Sequence, residues 1–77
     1  MSINILVFGP LTDITEANAL SFKTPDNTDV LKQALIEQYP KLKTQHYNMA
    51  VNKKIIQEPI NLKDGDEVAL LPPFSGG

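Results

Sequence analysis

The stretch Asp64-Gly65-Asp66-Glu67-Val68-Ala69-Leu70-Leu71-Pro72-Pro73-Phe74-Ser75-Gly76-Gly77 closes the chain, and the rest is read outward from it. Asp64-Gly65 spells a tight turn. Residues 67–71 come next as a strand, with Val68 and Leu70 on one face and Ala69 and Leu71 on the other. Pro72 and Pro73 lack N–H donors and favour an extended polyproline conformation, so they hold the terminal segment away from the fold. Gly76 and Gly77 carry no side chains, and such a tail can enter a tunnel too narrow for any Cβ. The chemistry left to it is that of the terminal carboxylate, whose unperturbed pKa of about 3.5 leaves it ionised at neutral pH. A carboxylate is a poor electrophile, so acyl transfer from it requires prior activation, for example as an acyl-adenylate.

Upstream, residues 3–8 read as a strand that is apolar on nearly every position. Ile3, Ile5 and Val7 share one face; Asn4, Leu6 and Phe8 share the other. Such a strand is either central in its sheet or has a second face that meets something. Gly9-Pro10 ends it, and residues 10–15 are expected to form a short turn of helix. Residues 19–23 alternate, with Leu20 and Phe22 inward, as a second strand antiparallel to the first. Asn27 is a good N-cap and Asp29 suits the first helical turn. The helix is expected over residues 28–38, with Val30, Leu31, Ala34, Leu35 and Tyr39 on its inner face and Ile36 off the edge. Pro40 ends it. Residues 41–48 read as a polar loop, Met49-Ala50-Val51 as a short strand, Asn52-Lys53 as a turn and Ile55-Ile56-Gln57 as a return strand. Ile60 and Leu62 are expected to tuck under the core. Two strands, a helix and two or three short strands give an α+β layer, with one main helix across one face of a mixed sheet.

The chain has 77 residues, enough for one domain and a modest core. No apolar run approaches the roughly 20 residues of a membrane span, and no signal peptide is evident. The formal charge is −2 and all seven basic residues are Lys. Without Arg there is no bidentate fork for phosphates or bases, and there is no basic stripe with interleaved aromatics. Nucleic acid and membrane are therefore not expected partners. There is no Cys, which excludes disulfides and a thiol-based metal site. It also means that any sulfur the chain handles must ride on the terminal carboxylate.

The run from Asp64 to Gly77 resembles the C-terminus of the small, sulfur-carrying subunit of molybdopterin synthase: Gly-Asp-Glu-Val-Ala, two apolar residues, Pro-Pro, an apolar and a small residue, then Gly-Gly. The resemblance extends to the first strand, the capped helix and Val51-Asn52. It implies a ubiquitin-like β-grasp fold over residues 1–77, with the first and last strands parallel neighbours and a tail from about residue 72. It implies that an ATP-dependent activating enzyme adenylates Gly77, that a sulfur donor converts the adenylate to a thiocarboxylate, and that the tail enters the large subunit. There the sulfur passes to cyclic pyranopterin monophosphate, in a complex of two small and two large subunits whose catalytic side chains lie on the large one. It further implies a cytoplasmic location, no cofactor bound by this chain, and ATP used only by the activating enzyme. The tail-insertion residues are then Pro72, Pro73, Phe74, Ser75 and Gly76; Phe8, Ile55 and Leu71 match the family's apolar partner contacts. Thr12 stands where the family often has Arg. The thiazole sulfur carrier of thiamine synthesis shares the fold and chemistry but lacks Pro-Pro before its terminal segment. A ubiquitin-like protein modifier, conjugating Gly77 to lysines, and a plain interaction module are the other readings.

One helix can cover only one sheet face. If Val68, Leu70, Ile3, Ile5 and Val7 pack beneath it, then Leu6, Phe8, Ala69 and Leu71 point away. A contiguous exposed apolar patch suggests a partner surface; the alternative is that residues 41–48 cover it. His46, the one histidine, has no second ligand for a metal and no nucleophile to serve, and reads as a loop residue. The spacing of Asp64, Asp66 and Glu67 fits neither a glycosidase pair nor an EF-hand. Ser75 suits the tail by its small size. With no phosphate loop and no triad, the chain by itself is expected to catalyse nothing.

Overall fold

Alternating apolar residues build the sheet of the computed structural model, which describes residues 1–73. The strands are β1 (Ser2–Val7), β2 (Ala19–Lys23), β3 (Asn48–Val51), β4 (Lys54–Ile55) and β5 (Glu67–Leu71). Their order is β2-β1-β5-β3-β4. β1 is antiparallel to β2 and parallel to β5, so the first and last strands lie side by side. β1 is thus an interior strand, which accounts for its apolar character. The fold is a ubiquitin-like β-grasp.

A 3₁₀ turn (Gly9–Leu11) and the single-turn helix α1 (Thr12–Thr15) come after β1, and buried Leu11 anchors them. The main helix α2 runs over Thr28–Gln38, within the expected limits. Its start is set by Asn27, whose Oδ1 accepts the Val30 N–H at 2.9 Å. Its end is set by Pro40, which keeps Tyr39 out of the helical region, at φ −129° and ψ 79°.

The inner face of α2 is rotated from the expected one. Thr28, Leu31 and Leu35 are buried, whereas Val30 is 46% exposed and Ile36 packs against the core. The cause is Thr28. At about 100° per residue, a face centred on Thr28, Leu31, Leu35 and Tyr39 puts Val30 nearly opposite and Ile36 at its margin. A polar residue can hold that place because its groups are bonded: the Thr28 hydroxyl accepts the Ile60 N–H at 3.1 Å, and the Thr28 N–H donates to the Ile60 carbonyl at 2.9 Å. This link carries Ile60 and Leu62 under the helix, where both pack as expected.

Two further corrections concern the return half. Residues 41–48 are not a simple loop: Pro40–Thr44 is a 3₁₀ turn, and Leu42, one apolar side chain in a polar run, is 1% exposed in the core. The return strand is only Lys54–Ile55 rather than residues 55–57. Asn52 and Lys53 both have positive φ, 50° and 73°, the tight hairpin geometry that matches strand twist. At the other turn, Gly65 has φ +86° and the Asp66 N–H closes onto the Lys63 carbonyl at 3.0 Å. Among the described residues no helix is long and apolar enough to cross a membrane.

Candidate functional site

Strand register lines up the open face of the sheet. Leu6 pairs with Ala19 on β2 and Ala69 on β5; Ala69 pairs with Ala50 on β3, and Ala50 with Ile55 on β4. Paired residues share a face, so Ala19, Leu6, Ala69, Ala50 and Ile55 form one apolar row across all five strands. At about 4.8 Å per strand, Leu6 and Ile55 stand roughly 14 Å apart. Above this row lie Phe8 and Leu71, the latter paired with Asn48. Below it lie polar Ser21, Asn4, Glu67 and Asn52.

The helix reaches none of this. Phe8 is 43% and Ile55 49% exposed, although both are large and apolar, and Leu6, Ala69 and Leu71 are half-buried. Near Phe8 the face dips into a groove of about 480 Å³ lined by Leu6, Phe8, Gly9, Thr12, Asn18 and Ala19. Residues 41–48 do not cover the patch. Leu42 turns inward to the core, and Thr44, Gln45 and His46 instead border a cleft beside Pro72 and Pro73.

Two of the three expected partner contacts, Phe8 and Ile55, are thus the prominent side chains of the face, and Leu71 lies between their strands. Phe8 is held there by its N–H, which donates to the Leu70 carbonyl at 3.1 Å. The alternation of β1 and β5 already shows which of their residues look outward. Ala19 and Ala50 joined the patch unforeseen, because nothing in their local sequence says which strand they lie beside.

The lower border is tied down by polar bonds. Asn52 Nδ2 donates to Asp66 Oδ1 at 3.1 Å, and the Lys63 N–H donates to Asp66 Oδ2 at 2.8 Å. The Lys63 N–H, and then the Asn52 amide, hold the Asp66 carboxyl below its ordinary value. Asp66 is therefore a turn residue, as its spacing suggested.

The tail base leaves β5 at the top of the face. Pro72 is half-buried and Pro73 exposed. Asn48 Nδ2 makes a long contact of 3.4 Å to the Pro73 carbonyl. The remaining tail residues named from the sequence, Phe74, Ser75, Gly76 and Gly77, lie outside the described residues.

Comparison with known proteins agrees with this geometry. The ThiS family matches residues 5–77. The chain is 34% identical over 83 aligned positions to the molybdopterin synthase sulfur carrier subunit of Chlamydomonas reinhardtii, with all of both chains covered. It is 35% identical over 82 positions to the subunit of that name from Mycobacterium tuberculosis, covering 100% of this chain and 99% of the other. Among solved structures it is similar to a chain in the complex of subunits 1 and 2 of molybdopterin-converting factor from Helicobacter pylori, at 29% identity and TM-score 0.76 with both chains fully covered. A β-grasp body, an unpaired apolar sheet face and this likeness from end to end lead to one conclusion: the chain belongs to the ThiS family, alongside the molybdopterin synthase sulfur carrier subunits.

Proposed function

We propose that this chain is a sulfur carrier of molybdenum cofactor biosynthesis. The observation that carries the reading is the likeness over full length to two sulfur carrier subunits of molybdopterin synthase. The chain's own chemistry is consistent with it. With no cysteine, a sulfur atom can be held on the C-terminal carboxylate of Gly77. An activating enzyme would join that carboxylate to the adenylyl group of ATP, releasing pyrophosphate. Sulfide released by a donor would then attack the acyl carbon and expel AMP, leaving a thiocarboxylate. Within the large subunit, the thiocarboxylate sulfur would attack cyclic pyranopterin monophosphate, and hydrolysis of the resulting thioester would break its acyl C–S bond, leaving the sulfur on the pterin and returning the Gly77 carboxylate.

The apolar row and Phe8 supply the docking surface in this reading. Folding buries Ala50 but leaves Phe8, Ile55 and Ala19 exposed and Leu6 and Ala69 half-buried, and a partner would bury these in the manner of an interface core with the lower polar row as rim. Pro72, Pro73, Phe74, Ser75 and Gly76 would enter the partner's site, with catalytic side chains contributed by the large subunit. Two small and two large subunits, a cytoplasmic setting and no cofactor held by this chain complete the proposal.

The test is intact mass after incubation with the cognate activating enzyme, ATP and a sulfur source. Exchange of one oxygen for sulfur nearly equals one methionine oxidation in mass, and Met1 and Met49 are both present. The shift must therefore be placed on a C-terminal fragment. A thiocarboxylate at Gly77 that converts the pyranopterin in the presence of the large subunit is the expected result. An adenylate that forms only lysine adducts would overturn it in favour of protein modification.

A further inference from the structure

Gly9 combines a backbone and a steric peculiarity. Its φ is +61°, in the left-handed region where a side chain is costly. A Cβ placed there would also stand 2.8 Å from Pro72 Cγ and 3.7 Å from its Cδ. The first distance is closer than real Cβ contacts come, so the Pro72 ring occupies the space that a side chain at Gly9 would need. The turn around Gly9 is firmly held. Thr12 Oγ1 donates to the Gly9 carbonyl at 2.9 Å, and the next residue but one, Leu11, is buried in the core.

On the other side of the tail base, β3 ends against β5 with Asn48 opposite Leu71, and Asn48 Nδ2 reaches the Pro73 carbonyl. The sheet itself gives no guidance beyond this point. Pro72 has no N–H to donate, and the last bond from β1 to β5 is the one from Phe8 N–H to the Leu70 carbonyl. We infer that Gly9 and Asn48 are positioning residues that seat Pro72 and Pro73 and thereby aim the C-terminus into the enzymes that act on it. This rests on the sulfur-carrier reading for its functional part. Four residues lie beyond Pro73, and an extended chain of that length reaches at most about 14 Å. The direction of the chain at Pro73 therefore sets which region the C-terminus can reach, and acyl and sulfur transfer are sensitive to misplacement of about 1 Å.

The experiment uses the full chain in two arms. In the free protein, NMR should show a nuclear Overhauser contact between Gly9 Hα and the Pro72 ring, lost in Gly9→Ala while the contacts of Leu11 with the core persist. In the second arm, thiocarboxylation by the activating enzyme is monitored at varied carrier concentration. Gly9→Ala should lower kcat about tenfold or more, with a smaller change in KM, since Gly9 only borders the groove beside Phe8 and the apolar row is untouched. Asn48→Asp cannot donate to the Pro73 carbonyl and sets a negative charge beside it; it should lower kcat in the same sense, and Asn48→Gln should restore part of the loss. Asn48→Asp keeps the test decisive if Gly9→Ala does not fold. Wild-type kcat in both Gly9→Ala and Asn48→Asp, or a loss confined to a raised KM, would overturn the inference, as would absence of the Gly9–Pro72 contact in wild type. A wild-type chain that accepts no sulfur would overturn the carrier reading and the functional role built on it, while the first arm still decides the seat.

Discussion

The two faces of the sheet are made from the same strands and similar apolar residues, yet they do different work. On the helix side, Ile3, Ile5, Val7, Met49, Val51, Val68 and Leu70 are all buried. On the other side, Leu6, Ala69 and Leu71 are half-buried and Phe8 and Ile55 stand open. Burial of apolar surface stabilises a fold by about 25 cal/mol per Å². The first face contributes to the stability of the monomer; on the second a large part of that contribution is left unrealised. A short chain with one main helix can cover one face only, and the uncovered one is the surface proposed above for docking.

The sharpest way to break this comparison is to change one residue on each face. Leu35→Ala, under the helix, should cost about 3 kcal/mol or more, seen as a marked fall in denaturation midpoint. Ile55→Asp, on the open face, should change stability by no more than about 0.5 kcal/mol. If Ile55→Asp destabilises as Leu35→Ala does, the open face belongs to the core and the division is wrong. The same Ile55→Asp chain should bind the large subunit of molybdopterin synthase about 30-fold more weakly, or about 2 kcal/mol. Calorimetric titration measures this, and unaltered affinity would remove Ile55 from the docking surface.

A smaller effect sharpens the packed side. Asn27→Ala removes the acceptor for the Val30 N–H and should cost about 1 kcal/mol, with binding to the large subunit unchanged once folded. The smallest effect concerns the border of the open face. The Asp66 carboxyl is held below its ordinary value of 3.8 by the Lys63 N–H and then by Asn52. Its ionised form therefore adds stability that is complete above the unfolded pKa and is lost as pH falls through the lower folded value. Asp66→Asn should be slightly less stable than wild type at neutral pH, and the two unfolding curves should converge in acid. A difference that persists at low pH would show that Asp66 acts by something other than its charge.

Much of this architecture was legible residue by residue. Asn27 before an apolar-periodic run and Pro40 after it bracket α2, because capping and the steric demand of proline act within a few residues. The alternation of β1 and β5 and the turns at Asn52-Lys53 and Asp64-Gly65 are local in the same way. The features that escaped were decided by distant partners. Thr28 is buried because its hydroxyl and N–H meet Ile60, and that bond sets which way α2 faces. Leu42 enters the core because the chain after Pro40 coils into a 3₁₀ turn above it. β4 is short: its register pairs only Lys54 and Ile55 with Val51 and Ala50, and one further bond, from the Ile56 N–H to the Met49 carbonyl at 3.0 Å, follows it.

The site divides along the same line. Phe8, Ile55, Leu71 and the diproline could be named from the sequence and its family resemblance, and periodicity alone gave the outward direction of Leu6 and Ala69. The sequence by itself determined the bounds of β2 and α2 and the places of the turns at Asn52-Lys53 and Asp64-Gly65, since those choices depend on each residue's own backbone and its near neighbours. Only the tertiary structure decided that Ala19 and Ala50 complete a row from β2 to β4, and that Pro72 rests on Gly9. Both depend on register between strands far apart in the chain, and register arises when the buried sides of all five strands pack at once.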